Sequence, residues 1–296
     1  MANYILIFIP ALAAIIFGAA FLSDRLSRKT CIALRLDGIR INNLTKQLLL
    51  DLQQHRGMVN AFLSGDKSFK QKIENKQAAI KQDLVALNTP CSQKLITAKR
   101  WEGILGGWER LSAECLALPV EDSFQRHCKI IRTVLYSIGD IAERSQINGV
   151  FAADFALVDT LWGKIPAIAE GLGQTRAVGS SVAAKGNCTS VARIKLRFLE
   201  EHVRETMAQA SDNLAHIQLD QATLVTQTWQ GAQAAVREFL VLLEEELINA
   251  EAPAIDAEHF FNAGTKALDA VFLTFDHATT AVENSLNNNP DGKHAA

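Results

Sequence analysis

Cysteine, proline and aromatic residues are all scarce in this chain of 296 residues, which holds five cysteines, six prolines and 7% aromatics. The cysteines, Cys31, Cys91, Cys115, Cys128 and Cys188, are odd in number and widely spaced, with no CxxC pair and no Cys/His cluster at metal spacing. That pattern argues against a disulfide framework, a zinc site and CxxCH haem attachment, and it favours a reducing compartment. A charge surplus is missing too: 30 basic residues stand against 32 acidic ones, for a net charge of −2. Phosphate-backbone binding needs a cationic excess, so no nucleic-acid partner is expected. The signatures GxSxG, HExxH, GxGxxG after a strand, the Walker glycine loop and the kinase set are absent, and the histidines are scattered. Neither enzyme activity nor a cofactor or metal is expected.

One long apolar run is present. Residues 4–22 (YILIFIPALAAIIFGAAFL) carry no charge and have about the length of a membrane-spanning helix. Arg25, Arg28 and Lys29 follow the run while no basic side chain precedes it. By the bias of basic residues toward the cytoplasm, this predicts a single-pass anchor in the inner (cytoplasmic) membrane with the remaining chain on the cytoplasmic side. A periplasmic orientation is the alternative, and a cleaved signal peptide competes with the anchor.

Beyond residue 30 the apolar residues recur at helical spacing, with almost no strand-like alternation. Helices are expected over about 31–64, 67–87, 90–118, 121–149, 155–185 with Pro166 inside, 188–219, 221–250 and 256–286. A short break is expected near 150–154. The expected class is all-α, an elongated antiparallel helical bundle. Its expected organisation is an anchor and basic flank at 1–30, a helical domain at 31–286 and a polar tail at 287–296.

Two arginines interrupt apolar stripes. Leu49, Leu52, Arg56, Val59 and Leu63 follow one another at steps of three and four, so Arg56 stands where a core leucine belongs. Ile165, Ile168, Leu172, Arg176, Gly179 and Ala183 repeat the arrangement around Arg176. A buried guanidinium keeps its proton and needs an anionic partner. That partner is either a carboxylate on a neighbouring helix or a small oxyanion shared by the two arginines, whose planar forks match nitrate or carboxylate. A third alternative leaves only the arginine stems buried. Periodicity alone does not choose among these.

Three segments carry a resemblance. LQQHRGMVNAFLSGD (52–66) resembles the LQxxRGxxxxFL motif of the nitrate- and nitrite-sensing NIT domain. LWGKIPAIAEGLGQTRAVGSSVAAKG (161–186) is similar to that family's LPxLxExLGxxRxxG stretch, and IDAEHFFNAGTKALDAVFLTFD (255–276) resembles its closing helix with an aromatic pair and a threonine. The resemblance implies two four-helix bundles sharing a long helix, and it implies that Arg56 and Arg176 bind nitrate or nitrite. Arg237 is a weaker third candidate, on a helix where the family tends to supply another arginine. His55 departs from the glutamate common at its position. Arg193, Arg197 and Arg204 are spaced like a solvated flank.

The function so implied is that of a membrane-anchored sensor that binds nitrate or nitrite through paired arginines and signals to an output partner in trans. A homodimer is one expected form of it. Two other functions fit the same helices: a receptor for a small carboxylate metabolite, and a ligand-free structural coiled-coil protein.

Overall fold

The computed structural model describes residues 2–147, 155–215 and 222–288, and side chains from residue 16 onward within them, residues 155 and 222 excepted. Among these residues every regular element is helical. In chain order they are α1 (Ala2–Ser64), a 3₁₀ turn (Lys67–Phe69), α2 (Lys70–Leu87), α3 (Pro90–Leu95), α4 (Ala98–Glu114), α5 (Val120–Arg144), α6 (Phe155–Asp159), a π turn (Thr160–Lys164), α7 (Ile165–Lys185), α8 (Ser190–Leu214), α9 (Ala222–Leu243) with a π turn (Glu244–Ile248), and α10 (Ala257–Asn288).

Local chemistry sets most boundaries. Gly65, at φ +131°, ends α1 in a conformation that a side chain disfavours, and Asp66 caps the turn that follows through the Ser68 amide. Thr89 caps α3, with Pro90 at its first position, and Thr189 caps α8. The expected helix over 90–118 is divided, because Ile96 and Thr97 are extended and the Thr97 hydroxyl caps α4. Pro166 lies in the first turn of α7, where a missing N–H costs little, and the π turn before it absorbs the irregularity. The break expected at 150–154 lies outside the described residues, as does the tail from 289 on; positions 287 and 288 still belong to α10.

The long helix α1 packs along α2 and α5, and also along α7 and α10; α7 meets α8 and α10, and α9 packs on α10. The interior is filled by Leu48, Leu49, Leu52, Ile73, Phe69, Phe239, Phe260 and Phe275, none more than 1–2% exposed. Both arginine stripes face inward. Leu49, Leu52, Arg56 and Val59 are buried on α1, and Ile165, Ile168, Leu172, Arg176 and Gly179 on α7.

The expected inner-membrane localisation is corrected. Among the described residues no helix is long and apolar enough to cross a membrane. The side chains of 4–15 lie outside the described set, and the apolar remainder, Ile16 to Leu22, is soon followed by Asp24, Arg25, Arg28 and Lys29. From Ile16 to Thr30, α1 is exposed at every position, and Asp24 and Arg28 form an ion pair one turn apart.

Candidate anion-binding site

Among the described residues, Arg56 and Arg176 are the largest side chains without solvent exposure. They are carried by two helices packed against each other, α1 and α7. Gly173 permits that approach, and Gly57 permits the approach of α10 to α1 beside it. A Cβ on Gly173 would lie 2.9 Å from the Arg56 Nη2, and one on Gly57 would lie 2.8 Å from the Phe261 ring and 3.6 Å from the Arg176 Nε.

The two guanidiniums are treated differently. Arg56 donates through Nη1 to Glu170 Oε1 at 2.6 Å and through Nη2 to Oε2 at 3.1 Å, the paired geometry of a guanidinium and a carboxylate. Its Nη1 also reaches Cys128 Sγ at 3.2 Å, and its guanidinium lies 5.4 Å from the Phe124 ring centre. Glu170 accepts further hydrogen bonds from Gln53 at 3.0 Å and Gln174 at 2.7 Å. Burial opposes the charge on Arg56 most strongly, but Glu170 and Cys128 together, through attraction and hydrogen bonds, outweigh it and raise the pKa.

Arg176 has no ion pair among the described residues. Its Nη1 donates to Thr265 Oγ1 at 2.8 Å and its guanidinium lies 4.6 Å from the centre of the Phe261 ring, while Nε and Nη2 find no partner. Burial, and after it the charge of Arg56, pushes the Arg176 pKa down to about 9, with Asp269 and Glu170 opposing. It therefore stays charged at neutral pH. Asp269 is exposed on α10, so the buried groups alone, two cations and the Glu170 carboxylate, carry a net charge of +1 in a dry interior, where an unpaired charge costs several kcal/mol.

Further polar atoms without partners lie one turn along each helix: Ser180 Oγ after Arg176, and Asn60 Oδ1 after Arg56. Asn60 and Ser181 reach a cavity of about 230 Å³, which Phe124, Lys185 and Lys195 also line. Phe124 thus lines this cavity and also lies against Arg56, with the Lys195 ammonium 4.0 Å from its ring centre.

His55, the departure from the motif, points to α5. Its Nδ1 lies 2.8 Å from His127 Nε2, and His127 Nδ1 lies 2.7 Å from the Ser123 carbonyl oxygen. A carbonyl only accepts, so His127 Nδ1 donates to it and His127 Nε2 accepts from His55. This chain keeps both rings neutral. Burial pushes the His127 pKa down to about 3, and burial together with His127 and Lys76 holds His55 well below its ordinary value.

Arg237 is exposed on α9 and so stands apart from the buried pair. Arg193 and Arg204 are not merely solvated: Arg193 donates to the carbonyl of Ile248 at 2.5 Å, and Arg204 bridges Glu200 and Glu244 at 2.8 Å each. Sequence reasoning left out Glu170, Cys128, Phe124, Phe261 and Thr265. The signal for three of them was in the motifs, since Glu170 is the glutamate of the second segment, and Phe261 and Thr265 belong to the third.

The sequence model of the family described as nitrate and nitrite sensing (NIT) matches residues 47–288, and the chain belongs to that family. No curated protein matches the chain. Among solved structures, the fold is similar to that of the NasR transcription antiterminator, with a TM-score of 0.69 and 17% identity over 92% of this chain and 74% of that one.

Proposed function

We propose that this protein senses nitrate or nitrite by binding one anion beside Arg176, with Arg56 adjoining, and passes occupancy to an output partner through α1 and α10. The observation that carries the reading is the state of Arg176: fully buried, charged at neutral pH, held by one hydroxyl, with two guanidinium nitrogens unpartnered. A planar oxyanion offers those nitrogens two acceptors at once and brings the cluster charge from +1 to zero. What supports a relay is packing: α10 supplies Thr265 and Phe261 to Arg176, and α1, which carries Arg56, contacts helices on two sides. Family membership supports the ligand class.

The test is thermal unfolding of the full chain in nitrate, nitrite, acetate and chloride at equal ionic strength. A ligand bound only to the folded state at about one hundred times its Kd adds roughly 2.7 kcal/mol. Nitrate or nitrite should raise the Tm where chloride does not, and Arg176→Ala should abolish the difference while Arg237→Ala keeps it. Equal responses to nitrate and chloride would remove the proposal. A response to acetate alone would favour the carboxylate receptor, which needs room for carbon beside Phe261.

A further inference from the structure

We infer that Glu170 sets the charge selectivity of this site, by cancelling one of two buried guanidinium charges so that a monoanion and not a dianion completes neutrality. The inference rests on the anion-binding reading above and adds a specificity-determining residue to it. Glu170 is held as a fixed internal anion. Its two carboxylate oxygens take both Arg56 Nη groups and two glutamine amides, and its side chain is 13% exposed. Arg176 receives no such partner.

Charge balance in a low-dielectric interior then decides what enters. With Glu170 in place, a monoanion brings the cluster to zero, whereas a dianion leaves an uncompensated negative charge away from water, which is strongly disfavoured. Without the carboxylate the same two guanidiniums carry +2, and a dianion becomes the neutral match. Shape gives a weaker contrast, since both nitrate and sulfate present oxygens that a guanidinium fork can pair with. Thr265 offers the converse manipulation, because its hydroxyl already touches Arg176 at 2.8 Å and a carboxylate there would give Arg176 the counterion that Arg56 has.

The experiment is isothermal titration of the full chain with sodium nitrate and sodium sulfate at fixed ionic strength, for wild type, Glu170→Gln, Glu170→Asp and Thr265→Asp. The ratio of sulfate to nitrate affinity should rise at least about tenfold in Glu170→Gln, a step of the size one unit charge makes at close range, and stay near wild type in Glu170→Asp. Thr265→Asp should lose nitrate binding while folded, and Thr265→Asn should keep it. Should Glu170→Gln fail to fold, the Thr265 pair decides the matter alone. An unchanged ratio in folded Glu170→Gln, or full nitrate affinity in Thr265→Asp, overturns the inference. Absence of nitrate binding in wild type would instead remove the anion-sensing reading beneath it.

Discussion

Arg56 and Arg176 are equally buried on adjoining helices, but Glu170 pairs with Arg56 at 2.6 Å while no carboxylate of the described residues is ion-paired with Arg176. Their substitutions should therefore differ in sign. Arg176→Leu removes an uncompensated buried charge, and replacing such groups by apolar ones is neutral or stabilising by about 1–4 kcal/mol. Arg56→Leu strands Glu170 and should cost about 3–5 kcal/mol. Urea unfolding without added nitrate measures both. Equal destabilisation by the two would mean that Arg176 has a partner in solution.

Nitrate binding should not vary across neutral pH. Burial, and after it the charge of Arg56, lowers the Arg176 pKa from its ordinary value, yet the guanidinium keeps its proton there, so the cation that holds the anion is present throughout. The nitrate-specific gain in Tm should be constant between about pH 7 and 8. A gain that changes across that range would place the binding charge on another group.

The His55–His127 pair gives an acid limb. The folded pKa of His127 lies near 3 against an unfolded value of about 6.5, so between these values the unfolded chain holds the extra proton. Its contribution to stability is present above pH 6.5 and is lost as pH falls toward 3, with a slope of at most about 1.4 kcal/mol per pH unit. His127→Gln should flatten the acid limb of the stability curve relative to wild type. Parallel curves for the two proteins would show that His127 titrates normally in the fold.

Gly57→Ala tests the close approach of α1 and α10. The added methyl would meet the Phe261 ring at 2.8 Å, and overfilling a packed interior costs about 1–3 kcal/mol. Because that ring lies against Arg176, nitrate affinity should fall with stability. Loss of stability with nitrate affinity unchanged would show that Phe261 does not position the guanidinium.

The helices and the inward direction of both arginines were legible along the chain, because a period of 3.6 assigns each residue to a face wherever one face is buried. Thr89, Thr189 and Asp256 cap helix starts in the structure through their own side chains, local chemistry that the periodicity does not use. The division at Ile96 was not legible, since the polar residues around it suit a helix or a turn equally. The span expected at 4–22 was read from hydropathy alone; the structure makes this run the start of α1, continuous to Ser64, and among the described residues no helix is long and apolar enough to cross a membrane.

By itself, the sequence determined an all-helical chain, two arginines on core faces and a family motif around each, all properties of residues near one another along the backbone. Which arginine has a counterion was decided only by the tertiary structure. Gln53, Arg56, Cys128, Glu170, Arg176 and Thr265 come from four helices, and the spacing of charges within one helix carries no record of the carboxylate on the next. The same holds for His55, whose partner His127 lies 72 positions away. Electrostatic energy in a low-dielectric interior depends on separations of a few ångströms, and those are fixed by how α1, α5, α7 and α10 pack.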